Sequence, residues 1–512
     1  MLISKNKRKV VLNVRDPLHI QTMLPAAQTF QYKGHDLLAV PHDLHSTRVL
    51  RGIGIEVPSP IKYHYKWSGQ NTPFHAQLET AEFLTFNDHA FVLNDMGTGK
   101  TLSVLWAFDY LRSQGLTSKM LVVSPLSTLE RTWADEVFRH FPHLTVSVLY
   151  GSKSRRTKML NQDADIYLIN HDGVKVMEKE LVARTDITTI VVDEIASFRN
   201  AATSRWKALR KVVDNRKYLW GLTGTPTPNS PTDAWAQCRL ICPNNVPPYF
   251  GKFRDSVMRQ VTQFKWMPRE TATEVVANAM QPSIRFTRDE CVDLPPCIYQ
   301  SRDVPLSKDQ ASAYKDMLSK LKFEMNNNEV MAVNEAVKLS KLLQICCGAA
   351  YDGKGKPVTL DITARIQEVI DVIEQADSKT LVFVPFTAAL EQVATELRKH
   401  WVTGVIHGGT PKSERDDIFS EFQSGDQMRV LVANPGTLSH GLTLTAANTI
   451  VWFGPPVSAE QYEQANARVT RPGQKKTQFI VHIEGTPVER RVYERLRNKR
   501  RIQGLLLEIL QG

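Results

Sequence analysis

"FVLNDMGTGKT", residues 91–101, runs a short apolar stretch into a glycine-rich turn that ends Gly-Lys-Thr. A buried strand, then such a turn, then a helix starting near Thr101 is the layout in which backbone N–H groups and a helix N-terminus face an anion. Met96, Gly97, Thr98 and Gly99 form the turn, and the two glycines permit its tightness. Lys100 has the reach for the outer phosphates of a nucleotide, and Thr101 offers a hydroxyl to Mg²⁺. The full phosphate-loop pattern asks for glycine five positions before Gly99, where this chain has Asn94. Taken alone, the stretch could also be an ordinary glycine turn capping a helix.

Working outward, short apolar runs alternate with helical periodicity. Residues 91–94, 120–125, 166–170, 188–194 and 218–225 read as buried strands, and 128–141 as an amphipathic helix. The alternation restarts with strands at 380–386, 402–407, 428–435, 448–454 and 477–485, and helix-like segments at 387–400 and 458–469. The fold class implied is α/β, with two parallel-sheet domains in tandem. Between them, 229–378 reads as helical insertions plus a linker, with long helical stretches at 307–325 and 329–347. Residues 1–66 form a small N-terminal accessory domain, 67–290 the first α/β domain and 291–512 the second.

At 512 residues the chain is too long for one ordinary core. Its 64 Lys and Arg against 53 Asp and Glu give +11, which suits a polyanionic partner. The six cysteines lack paired zinc-ribbon spacing and read as reduced thiols in a reducing compartment. The basic start "MLISKNKRK" is followed by no signal-like apolar stretch, and no run reaches the roughly 18 apolar residues of a membrane span. A soluble cytoplasmic protein of a bacterial or phage-infected cell is expected, with no membrane partner.

"TTIVVDEIASF", 188–198, places Asp193 and Glu194 at the C-terminal end of a strand, beside the first strand's phosphate loop. Asp193 can hold Mg²⁺ through water, and Glu194 can orient and deprotonate an attacking water. "QANARVTRPGQ", 464–474, puts Arg468 and Arg471 three apart, on one side of a helix. Arginines brought across a domain interface stabilise the charge of phosphoryl transfer. ATP hydrolysis is the leading reading.

The ordered set resembles a Swi2/Snf2-type superfamily 2 helicase core over residues 73–505, in a compact bacterial or phage form. The resemblance rests on "NDMGTGKT", on "PLSTLERTWADEV" (125–137), on "DEIASFRN" (193–200) in place of the acidic box and on "LTGTPTPNS" (222–230). It rests also on "QANARVTRPGQ", at Gln464, Arg468, Arg471, Gly473 and Gln474. It implies two RecA-like domains, ATP and Mg²⁺ as cofactors, and Gln77 in "PFHAQLETAEFL" as an adenine reader. It implies too that Thr223, Gly224, Thr225 and Gln464 couple hydrolysis to motion, and that Gly441 in "LSHGLTLTAAN" lies on the nucleotide and DNA side. The chain departs from the family at Ile195, Ala196 and Ser197, at Ala467, and at Ser439 and His440.

The implied activity is a DNA-dependent ATPase that translocates on duplex DNA without base readout. Its tasks would be remodelling forks, branches or protein–DNA complexes. A strand-separating DNA or RNA helicase and a nucleic-acid scaffold with a vestigial ATPase remain the alternatives. A monomer is expected, with replication, recombination or repair proteins as partners. The C-terminal stripe Val488, Val492 and Leu496 reads as bracing the second domain, with direct DNA contact by the helix's arginines as the alternative, and His407 as a strand-end packing or turn residue.

Overall fold

The computed structural model describes all residues except 70–71, 263–264, 292–294, 327–331, 352–356, 439–443, 471–473 and 499–512. The chain divides into two compact units, Met1–Cys291 and Val292–Gly512.

The first unit opens with a four-stranded antiparallel sheet of β1 (Leu2–Ser4), β2 (Lys9–Leu12), β3 (Gln28–Tyr32) and β4 (His35–Pro41), in the order β1-β2-β4-β3. Val10, Leu12, Leu38 and Val40 alternate onto one face and pack on Ile20, Leu24, Leu50 and Val57.

The large sheet of this unit is parallel. It comprises β5 (His89–Val92), β6 (Lys119–Ser124), β7 (Val146–Leu149), β8 (Ile166–Asn170), β9 (Ile187–Asp193) and β10 (Tyr218–Leu222). A hairpin of β11 (Met258–Thr262) and β12 (Lys265–Pro268) follows, and then β13 (Ser283–Ile284), which joins the large sheet. The order is β13-β5-β10-β9-β6-β8-β7. The central strands are apolar throughout because helices cover both faces. Leu121, Val123, Ile190 and Val192 point into one core, and Met120, Val122 and Val191 into the other.

The second unit repeats this plan. It contains β14 (Cys297–Asp303), a short hairpin of β15 (Ala349–Tyr351) and β16 (Pro357–Thr359), β17 (Lys379–Phe383), β18 (Thr403–Ile406), β19 (Val430–Ala433), β20 (Ala447–Trp452) and β21 (Gln478–Glu484). Its sheet is parallel, in the order β14-β21-β20-β17-β19-β18. The helix Pro487–Arg497 buries Val488, Val492 and Leu496 against it. Under these helices Arg365 pairs with Glu489 at 2.8 Å, both buried.

Several expectations need correction. The strand read at 91–94 spans His89–Val92, which leaves Leu93 and Asn94 to the loop. The region 229–378 holds the helices Lys308–Asn326 and Ala332–Cys346 as expected, but it also supplies β13 and β14 to the two main sheets. β13 has only two residues, and the β14 sequence CIYQSRD is largely polar because the strand lies at a sheet edge. The helix read at 128–141 is a 3₁₀ turn (Leu126–Thr128), a π-helical turn (Leu129–Ala134) and an α-helix (Asp135–His140). The six cysteines are free thiols. No helix among the described residues is long and apolar enough to cross a membrane.

Candidate active site

Three neighbouring strands carry the phosphate loop and the acidic pair to one sheet edge. β10 lies between β5 and β9, with Leu222 level with both Val92 and Asp193. The acidic pair is thus one strand removed from the loop strand, and 223–225 emerges between them. Placing these segments on adjacent strand ends is the usual way an open parallel sheet forms a ligand crevice.

The loop leaves β5 and turns into the helix Lys100–Ser113 through Gly97 and Gly99, at φ +83° and +78°. A second contact favours glycine at 99. A Cβ there would lie 2.0 Å from Gln77 Nε2. Gln77 is buried, and its Oε1 accepts from Phe74 N at 2.9 Å, closing the first turn of the helix His75–Phe86. Thr98 Oγ1 donates to Asp95 O at 2.8 Å, and no side chain caps the Lys100 helix. Lys100 Nζ donates to the carbonyls of Asn94 (2.8 Å) and Asp95 (3.0 Å), which holds it over the loop. Thr101 is the second residue of that helix.

Asn94 explains the missing glycine. Its backbone is not left-handed, and its buried side chain is a clamp. Nδ2 donates to Thr80 Oγ1 at 2.9 Å, and Oδ1 accepts from Phe286 N at 2.9 Å. Asp95 N donates to Phe286 O, so the residues after β13 are laced to the root of the loop.

Asp193 is held at three atoms. Oδ2 accepts from Trp133 Nε1 at 3.0 Å, Oδ1 accepts from Glu194 N at 3.1 Å, and its carbonyl lies 2.9 Å from His171 Nε2. Burial raises the Asp193 carboxyl above the usual range, opposed by the Trp133 hydrogen bond and the Lys100 charge. Burial lowers His171 to about 4, so its ring is neutral and Nε2 donates. Glu194 adopts a left-handed backbone at φ +51°, ψ +52°, an uncommon conformation for a residue with a side chain. This turn aims its carboxylate toward Thr223, whose Oγ1 is 3.5 Å from Oε2. Thr225 N donates to the same Oγ1 at 3.2 Å. A Cβ on Gly224 would lie 3.4 Å from Met96 Cγ and 3.5 Å from Asn94 O, so 223–225 rests on the loop.

In the second unit, Ser458 caps the helix Ala459–Asn466. Gln464 and Arg468 are buried, with Gln464 Nε2 on Glu460 at 3.1 Å and Arg468 Nε on Gln464 O at 3.1 Å. The helix ends at Asn466, so Arg468 lies beyond its last turn. Arg471, Gly473 and Gly441 lie outside the described residues. Gln474 Nε2 donates to Ala447 O at 2.7 Å, tying this segment to β20. His407 Nδ1 accepts from Gly409 N at 3.1 Å, which makes it a turn residue.

Sequence reading passed over Trp133 and His171. Trp133 was visible as the tryptophan of "PLSTLERTWADEV", and His171 as the residue after the apolar run "IYLIN". Neither carries a spacing that points to Asp193, because both contacts are made across the sheet edge.

Two parallel α/β units, one with a glycine loop, a lysine and a strand-end Asp-Glu pair, define a helicase-like nucleotide hydrolase. The SNF2-related domain matches residues 87–351, just over half of the chain, and the helicase conserved C-terminal domain matches 364–473. The chain belongs to the SNF2-related family of helicase-like ATPases. It is 27% identical over 440 residues to p41 of Acyrthosiphon pisum secondary endosymbiont phage 1, covering 81% of this chain and 94% of p41. It is 24% identical over 470 residues to the ISWI chromatin-remodeling complex ATPase ISW1 of Saccharomyces cerevisiae, covering 86% of this chain but 41% of ISW1. The Sulfolobus solfataricus SWI2/SNF2 ATPase core in complex with dsDNA aligns with 87% of this chain and 94% of that one, at 22% identity and TM-score 0.42.

Proposed function

We propose that this chain hydrolyses ATP to translocate along duplex DNA, and that it remodels forks, branches or protein–DNA complexes. The observation that carries the reading is the convergence of the Lys100 loop, Thr223–Thr225 and Asp193–Glu194 on three adjacent strand ends. The residues present suit Mg·ATP. Gly97 and Gly99 give the turn two left-handed positions without a Cβ, the helix behind it has no side-chain cap, and the donor set is Lys100, Thr101 and two carboxylates. When bound, Mg·ATP supplies the phosphoryl group and a metal that neutralises part of its charge.

In this reading Lys100 binds the outer phosphates, and Thr101 and Asp193 hold the metal. Gln77 reads the adenine ring. Glu194, aimed by its left-handed backbone, takes a proton from water. Thr223, within reach of Glu194, reports the state of the site to Gly224 and Thr225. Arg468 and Arg471 add positive charge at the departing phosphate, with Gln464 supporting Arg468. Net +11 and the absence of a zinc cluster among the described residues favour a sequence-independent grip on phosphates.

The test is steady-state turnover with no nucleic acid, single-stranded DNA, duplex DNA, forked DNA and RNA, beside Lys100→Ala and Glu194→Gln. Stimulation by duplex or forked DNA, abolished in both variants while Glu194→Gln still binds ATP, is the expected result. Equal rates with every polymer would overturn the DNA-translocase reading, and robust strand displacement from a tailed duplex would favour a helicase.

A further inference from the structure

The N-terminal sheet has an unusual outer face. An antiparallel sheet that buries one side normally turns polar residues to solvent on the other. Here the cross-strand registers put Leu2, Val11, Ala39 and Gln28 in one row, Leu37 and Phe30 in the next, and His35 and Tyr32 in the last. None of these belongs to the core formed by Val10, Leu12, Leu38 and Val40. Leu2 is 65% exposed, Phe30 39% and Tyr32 57%. All five residues of β3 are exposed, and β3 is an edge strand.

The charge around this apolar face is mostly basic. Residues 1–36 hold Lys5, Lys7, Arg8, Lys9, Arg15 and Lys33 against two acids, Asp16, which caps the helix Pro17–Met23, and Asp36, exposed on β4. Lys5, Lys7 and Arg8 are exposed in the turn at one end of the sheet. At that end Lys9 Nζ also donates to Gln28 Oε1 at 2.9 Å. Lys33 lies in the turn at the other end, its Nζ 5.5 Å from the centre of the Tyr32 ring. The seven residues of β4 set the two basic turns about 20 Å apart.

We propose that this face binds single-stranded DNA, with bases stacking on Phe30 and Tyr32 and phosphates running between the two basic turns. Exposed rings flanked by lysine and arginine are the arrangement that grips unpaired strands without sequence preference. A duplex hides the faces of its bases, so a strand already unpaired is the ligand that these rings suit. Residues 1–35 would thus hold a single-stranded arm of a branched substrate, a role separate from the hydrolytic site. The choice of DNA rests on the translocase reading above.

The experiment measures binding of the full-length protein to a labelled blunt duplex and to the same duplex carrying a single-stranded tail, together with duplex-stimulated ATP turnover. Wild type is expected to bind the tailed duplex more tightly. In Phe30→Ala/Tyr32→Ala that affinity falls by about tenfold or more, while blunt-duplex binding and turnover stay as in wild type. Tyr32→Phe keeps the ring and the affinity. Lys5→Gln/Lys7→Gln lowers the salt slope of tail binding by about 1.4, since each phosphate contact on a single strand contributes roughly 0.7. Loss of duplex-stimulated turnover in wild type would sink the translocase reading alone. A tail that adds no affinity in wild type, or a double alanine variant that binds it undiminished, overturns the proposal.

Discussion

Replacing Trp133 by Phe separates the aiming of Asp193 from the packing around it. The indole is buried, and its Nε1 is the one side-chain donor described at Asp193 Oδ2, whereas Oδ1 keeps the backbone N–H of Glu194. Phe retains most of the buried ring surface, so the cavity cost stays well below the roughly 3–5 kcal/mol of truncating Trp to Ala. The loss specific to the substitution is a hydrogen bond to a carboxylate, about 1.5–3 kcal/mol. If that bond fixes the carboxylate for Mg²⁺, the Mg²⁺ concentration giving half-maximal turnover rises roughly 10- to 100-fold. Saturating Mg²⁺ should then restore most of kcat. The assay is a Mg²⁺ titration of turnover at fixed ATP, with a thermal unfolding scan of the same preparation to register any change in stability. A W133F protein with an unchanged Mg²⁺ midpoint and unchanged kcat would refute the assignment of Trp133 as a positioning residue.

Three further outcomes are expected. Asn94→Gly supplies the glycine of the full loop pattern, yet it removes the partners of Thr80 and Phe286 N. It should cost on the order of 1–3 kcal/mol of stability and raise KM for ATP, and unchanged stability with an unchanged KM would show that the clamp is dispensable. Arg365→Met strands the buried Glu489 carboxylate and should destabilise the protein by about 3–5 kcal/mol, with Glu489→Leu in the same chain recovering much of it; thermal midpoints of the three variants decide this. His482 is buried beside Tyr462 and Tyr493, and burial holds its pKa down at about 3. A His neutral when folded contributes stability above its unfolded pKa and loses it as pH falls. Between pH 7 and 5 this costs about 2 kcal/mol, and urea unfolding at both pH values should show the acid slope shrink in His482→Gln.

The parallel sheets were legible because their central strands must be apolar on both faces, and such runs as "MLVVS" and "IVWF" admit few other placements. The edge elements were not. β14 and β3 carry polar or exposed sequences, and β13 is too short for any periodicity. β13 pairs with β5 and β14 with β21, neighbours far along the chain, while β3 pairs only with the adjacent β4. The N-terminal sheet was not legible either, for its outer face mixes Phe30 and Tyr32 with lysines in a pattern that does not reveal which side is buried.

At the candidate site, the residues proposed to carry the chemistry were readable by type and local spacing. Gly-x-Gly-Lys-Thr, Asp-Glu after an apolar strand and Thr-Gly-Thr after another each depend on a few adjacent residues, and a short peptide geometry governs them. Sequence therefore determined the two-unit plan and the family of helicase-like ATPases to which the chain belongs. Tertiary structure alone decided that β10 separates the loop from the acidic pair, and that Trp133 and His171 hold Asp193. It likewise decided that Gln77 fills the space over Gly99 and that Asn94 serves as a clamp. Each of these is a contact between segments at least 14 residues apart, most of them far more. No local propensity encodes such contacts, because their energy exists only once the sheet has set the segments side by side.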